Sequence, residues 1–143
     1  MSATNRFSLS KEERICSRNL IEKLFTGGMS RSMTAFPLRA VYMVTDREEE
    51  VPQARVMVSV SKRYFKRAVK RNRVKRQVRE AYRKNKHLIL DALASCPQRE
   101  VDMALIWLDG QLHDSEHVER QLRSLLQRLA EQLSHTKPSQ PTS

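Results

Sequence analysis

Between Lys62 and Lys86, KRYFKRAVKRNRVKRQVREAYRKNK, the chain carries 13 Lys or Arg and a single acid, Glu80. That is a local balance of +12 in a 143-residue chain whose net charge is +11, so the remainder is close to neutral. A block of like charge this dense either stays solvated and unfolded or orders with its apolar residues gathered on one side. The second outcome is expected here. No Gly or Pro interrupts Ala68 to Arg83, and Arg, Lys, Gln, Glu and Ala are good helix formers. Val74, Val78, Ala81 and Tyr82 fall at i, i+4, i+7 and i+8, one apolar stripe of a helix. Asn72, Arg76, Arg79 and Arg83 repeat that spacing on the opposite face, flanked by Arg73 and Lys75. Arg79 and Arg83 lack acidic residues four positions away. Such a row invites a polyanion, because guanidinium forks match phosphate oxygens in bidentate geometry. A solvated basic face with no specific partner is the competing account.

The rest of the chain must supply the core that this helix packs on. Ser17 is positioned to cap a short helix, Arg18 to Thr26, closed by Gly27-Gly28; Ser10 with Glu13 offers an earlier capping box. Met29 to Ala35 reads as a loop. Alternation predicts a strand over Phe36 to Thr45, with Phe36, Leu38, Ala40, Tyr42 and Val44 on one face. A second runs from Arg55 to Ser61, with Val56, Val58 and Val60 inward and Arg55, Met57 and Ser59 outward. Val101 to Leu108, apolar apart from Asp102, reads as a third strand covered on both faces. His87 to Ser95 continues the basic helix and stops before Pro97. Val118, Leu122, Leu125, Leu126, Leu129 and Leu133 mark an amphipathic helix from about Ser115 to Ser134. The expected order is α-β-β-α-β-α, a two-layer α+β sandwich. One domain spans residues 1–136, and 137–143, KPSQPTS, is a disordered tail.

Several function classes fall away. An apolar content of 39% supports one modest core, and no window approaches the ~18 apolar residues of a membrane helix. Cys16 and Cys96 form no CxxC pair and suit a reducing cytoplasm. Three glycines, Gly27, Gly28 and Gly110, build no phosphate-cradling loop. His113 and His117 are four apart, but no acidic partner motif accompanies them. No residue is assigned a catalytic role and none a metal.

At the basic helix a known pattern appears. Residues 71–83, RNRVKRQVREAYR, resemble the signature of the protein component of bacterial ribonuclease P, R-N-R-hydrophobic-K-R-x-hydrophobic-R-E-x-[FY]-R. The run from Arg55 to Arg63, RVMVSVSKR, is similar to that family's R-x-G-hydrophobic-S-V-S-K-K strand, with Met57 at the glycine. Leu24-Phe25 before Gly27-Gly28 resembles the end of its first helix, while Ile21 and Arg39 stand where many members carry aromatics.

The resemblance implies a cytoplasmic subunit that binds a large catalytic RNA, which removes the 5′ leader of precursor tRNA with Mg2+ held mainly by the RNA. It implies no membrane and no obligate protein partner. It also implies a left-handed β-α-β crossover, as in the second domain of ribosomal protein S-five, against the usual right-handed rule. The RNA-binding set so implied is Arg55, Lys62, Arg63, Lys66, Arg67, Lys70, Arg71, Asn72, Arg73, Lys75, Arg76, Arg79 and Arg83. A cleft between the first helix and the sheet would take the leader, with Phe25, Phe36, Tyr42 and Val58 as candidates. Two alternatives stand beside this reading. One is a DNA- or general RNA-binding module using the basic helix as basic-zipper proteins do. The other is a self-contained nuclease using His113, His117 or Asp114.

Overall fold

A computed structural model describes residue 14 and residues 18–26, 28, 30–47 and 52–135. The tail at 137–143, the Ser10–Glu13 capping box, Cys16 and Ser17 lie outside these. Four strands and four helices follow in the order α1 (Arg18–Thr26), β1 (Arg31–Ala35), β2 (Leu38–Asp46), β3 (Ala54–Ser59), α2 (Ala68–Asn85), α3 (His87–Ala94), β4 (Arg99–Trp107) and α4 (Ser115–His135). The sheet order is β1-β2-β4-β3. β1 and β4 run antiparallel to β2, and β3 runs parallel to β4. This is a mixed sheet in an α+β fold. Among the described residues no helix is long and apolar enough to cross a membrane.

The apolar periodicities place the core where the sequence expects it. Val74, Val78 and Tyr82 of α2 are fully buried, as are Val118, Leu122 and Leu126 of α4. Both helices and α3 lie on one sheet face, against Leu38, Ala40 and Tyr42 of β2, Val56 and Val58 of β3, and Met103, Leu105 and Trp107 of β4. The other face is not left to solvent. Leu24 of α1 is buried there with Val41, Met43 and Ala104, and Leu20, Ile21, Met57 and Ile106 pack around them. The two-layer sandwich therefore carries a further helix on its second face.

Two expectations need correction. Arg31–Ala35, read as a loop, is the edge strand β1, joined to β2 by the Phe36-Pro37 turn with a cis peptide bond. Its signal is weak because an edge strand is half-solvated: only Met33 and Ala35 pack towards the core, and the turn lacks an Asn-Gly pair. Phe36 accordingly belongs to the turn and is 52% exposed, not a member of the inward row. The second correction concerns α2, which does not run unbroken into 87–95. Asn85 turns its amide back to the Ala81 carbonyl at 2.8 Å, and Lys86 separates α2 from α3.

The outward residues of β3 also prove to be occupied. Arg55 faces its register partner Asp102 under the α1 side of the sheet. Its Nε donates to Asp102 Oδ1 at 2.9 Å, and Nη2 donates to Glu100 Oε2 at 3.3 Å. Both carboxylates are buried, so the acids at Glu100 and Asp102 in β4 are explained by the arginine opposite.

Candidate nucleic-acid interface

The α2 stripe that fills the core fixes what the other side presents. Lys70, Asn72, Arg73 and Arg76 are exposed, and Lys75 and Arg79 are half-buried. Among the described residues none of these six side chains makes a hydrogen bond or ion pair. Lys62, Arg63, Lys66 and Arg67 extend the exposed basic surface through the connection that enters the helix. Arg63 lies over the Tyr64 ring, 5.9 Å from its centroid.

Three members of the expected RNA-binding set have internal partners of their own. Arg71 donates through Nη1 to the carbonyls of Phe65 and Lys66, at 2.9 and 3.0 Å, and so straps the entering connection to the first turns of α2. Arg83 pairs with Glu80, its Nε donating to Oε1 at 3.0 Å. That bond first of all, with the charges of Arg83 and Lys84, holds the Glu80 carboxyl below its ordinary value. This partner stands three residues away, the shorter of the two spacings at which helix side chains meet. Arg55 is committed to the two buried carboxylates.

Between α2 and the start of α4 lies a groove of about 330 Å3, bordered by Arg73, Arg76 and Lys84 and by Glu80 and Glu119. Gln77 spans its floor, Nε2 donating to the His113 carbonyl at 2.8 Å and to Ser115 Oγ at 3.1 Å. At its far end Asn85 donates to Glu119 Oε2 at 3.1 Å, and Arg123 bonds both Asn85 and Glu119. The asparagine bond is the leading reason that the Glu119 carboxyl sits below its ordinary value near 4.5. The lowered carboxylate contributes stability that is complete above that ordinary value and lost as pH falls through the lowered one. Asn85→Leu is expected to move Glu119 back up, read as a carboxyl titration by NMR. An unmoved titration would show that the charges alone set it.

The proposed leader cleft is where strand parity corrects the reading. Tyr42 and Val58 point into the α2–α4 side of the sheet, away from α1. The Tyr42 hydroxyl donates to Gln132 Oε1 on α4 at 2.7 Å, and burial pushes its phenol pKa up. Phe25 is exposed on α1, and Phe36 lies at the β1–β2 turn near α4. The four candidates do not converge. The side that α1 crosses is lined instead by Val41, Met43, Met57 and Ala104, with Arg39, Ile106 and Ser59 in one row across β2, β4 and β3. The signal was present, since a residue placed inward on a two-faced strand cannot also line the opposite face.

His113 and the start of α4 are held by neighbouring side chains. His113 Nε2 and Asp109 Oδ2 are 2.7 Å apart, a bond that holds the Asp109 carboxyl below its ordinary value. Asp114 caps α4, its Oδ1 accepting the His117 amide at 2.8 Å. Among the described residues no three His, Cys, Asp or Glu side chains cluster to hold a metal. The basic-zipper alternative needs a helix that runs on from the basic segment, and α2 stops at Asn85.

Known proteins resemble this chain in sequence and in fold. The family model described as Ribonuclease P matches residues 9–130. The ribonuclease P protein component of Porphyromonas gingivalis is 42% identical over 130 residues, covering 91% of this chain and 92% of that one. That of Chlorobium phaeobacteroides is 38% identical over 86 residues, 60% of this chain and 59% of its own. In fold, the RNase P protein of Thermotoga maritima superposes with a TM-score of 0.61 at 24% identity, over 81% of this chain and 96% of that one. The Staphylococcus aureus RNase P protein gives 0.62 at 19% identity, over 82% and 94%. With the signature helix exposed as a basic face and the family match running across nearly the whole fold, the chain belongs to the ribonuclease P protein family.

Proposed function

We propose that this chain binds the catalytic RNA of ribonuclease P through the exposed face of α2 and the connection before it, and takes the 5′ leader of precursor tRNA across the α1 side of the sheet. Membership of the family makes it the protein subunit of an endoribonuclease that acts in tRNA processing. The observation that carries the RNA assignment is the division of α2: valines and a tyrosine buried on one side, and a row of cationic side chains with no internal partner on the other. In this reading Arg73, Arg76 and Arg79 grip phosphates, and Asn72 donates to and accepts from a sugar or base edge. The protein acts in the cytoplasm, and its crossover from β3 through α2 and α3 to β4 is left-handed, as the family resemblance implies.

Among the described residues no three His, Cys, Asp or Glu side chains gather to hold a metal. Asp102 and Glu100, the buried carboxylates, are both taken by Arg55. The metal of the reaction belongs in this reading to the RNA, and the protein contributes binding and orientation.

Reconstitution tests the proposal. Added to a bacterial ribonuclease P RNA at low Mg2+, the protein is expected to restore leader removal, and failure to do so would refute it. For the leader, Arg39→Ala is expected to weaken the holoenzyme's binding of precursor tRNA on the order of 10-fold and leave mature tRNA binding unchanged, the loss of one charge-assisted contact. Equal effects on both tRNAs would place Arg39 outside the leader path.

A further inference from the structure

We propose that the sheet end beside the groove is a second contact for the catalytic RNA, an aromatic ledge on which unpaired nucleotides stack against Phe36 and the His113–His117 pair. This rests on the reading of α2 as the face for that RNA. Three observations carry it: an exposed aromatic held in place, a rigid stack behind it, and continuity with the cationic row.

Phe36 is more than half exposed, yet it is not loose. Its carbonyl accepts from Gln121 Nε2 at 2.9 Å, and its ring stands edge-on to His113, 6.1 Å between centroids at 74°. His113 is fixed in turn by Asp109 and by the Trp107 ring, 5.4 Å away at 78°. His117 lies nearly parallel to His113, 5.2 Å between centroids at 17°. Ring faces set this way offer stacking surface with little side-chain entropy left to lose.

The ledge joins the basic surface on two sides. Gln77 of α2, in the groove beside Arg73 and Arg76, bonds the His113 backbone. Tyr64, under the Arg63 guanidinium, abuts Gly110 in the same connection between β4 and α4. Of the nearby acids, Asp109 is bonded to His113 and Asp114 caps α4, while Glu116 is exposed. Aromatic faces bordered by guanidinium groups are the chemistry of single-stranded nucleic-acid binding, in which bases stack and phosphates pair. Continuity with α2 points to the catalytic RNA rather than to the leader, whose proposed path lies on the opposite side of the sheet.

The test compares wild-type protein with Phe36→Leu/His117→Ala and with Phe36→Trp, titrated into a bacterial ribonuclease P RNA over a range of salt. The double variant is expected to bind on the order of 5- to 100-fold more weakly, the worth of one stacked base, with an unchanged salt slope. Phe36→Trp, which keeps a ring face, is expected to bind as wild type does and guards against a mere folding defect. Undiminished affinity of the double variant would overturn the ledge. So would a Phe36→Trp protein as weak as the double variant, or a loss seen only in precursor tRNA binding by the holoenzyme. Wild-type protein that fails to bind the RNA would remove the α2 reading together with the ledge, whereas the other outcomes remove the ledge alone.

Discussion

Alanine at both Arg73 and Arg76 is expected to weaken binding of a bacterial ribonuclease P RNA on the order of 100-fold or more at physiological salt, and to abolish rescue of leader removal at low Mg2+. Both side chains are exposed, both border the groove, and among the described residues neither has an internal partner. A charge-assisted hydrogen bond contributes about 1.5–3 kcal/mol, so two lost phosphate contacts reach that size. The slope of log affinity against log salt is expected to fall by about 2, one unit for each phosphate contact. Folding stability is expected to change by no more than about 0.5 kcal/mol, because no internal contact is lost. Binding isotherms at several salt concentrations, with a thermal melt of each protein, separate these effects. A double variant that binds and rescues like wild type would remove α2 as the RNA face.

Arg55→Ala is expected to act on the fold and not on the RNA. Its guanidinium bonds Asp102 and Glu100, side chains almost wholly shielded from water. Truncating one partner of a buried ion pair leaves an uncompensated charge and costs about 3–5 kcal/mol. For a chain of this size that is a fall in Tm of roughly 10 °C or more. Replacing the cluster together, as Arg55→Met with Asp102→Leu and Glu100→Gln, is expected to recover most of the loss, since hydrophobic substitutes for a buried pair are often neutral. The salt slope for RNA, measured below the melting range, is expected to match wild type. Denaturant titration decides the matter. A loss below about 1 kcal/mol with a shallower salt slope would return Arg55 to the RNA-binding set.

These two arginines show where a sequence is legible. Arg73 and Arg76 stand in a helix whose apolar stripe, Val74, Val78 and Tyr82, dictates which way every other residue points. A period of 3.6 and a buried side are enough to assign them. Arg55 sits in a strand, where the sequence says only that it faces away from Val56. Whether that opposite face meets water, α1 or two carboxylates 45 and 47 residues away depends on the strand order, and β4 pairs with β3 only once the chain has crossed over. The same limit governed the leader cleft. Tyr42 and Val58 were assigned to the core by alternation, and nothing local said that the cleft belonged to the other face. Arg83 with Glu80 was the nearer miss, a helix neighbour at the shorter of the two contact spacings.

The sequence by itself determined the helical segments apart from the break at Lys86, the inward rows of two strands, the place of the charge and, through the signature at 71–83, the family. Each of these is written within a few turns of chain, where side-chain period and burial are coupled directly. Only the tertiary structure decided that Arg31–Ala35 pairs as an edge strand, that Arg55 is held by Asp102 and Glu100, and that Phe36 joins His113 and His117. Those outcomes depend on which distant segments become neighbours. A hydrogen bond or a ring contact between residues far apart in sequence leaves no periodicity in either.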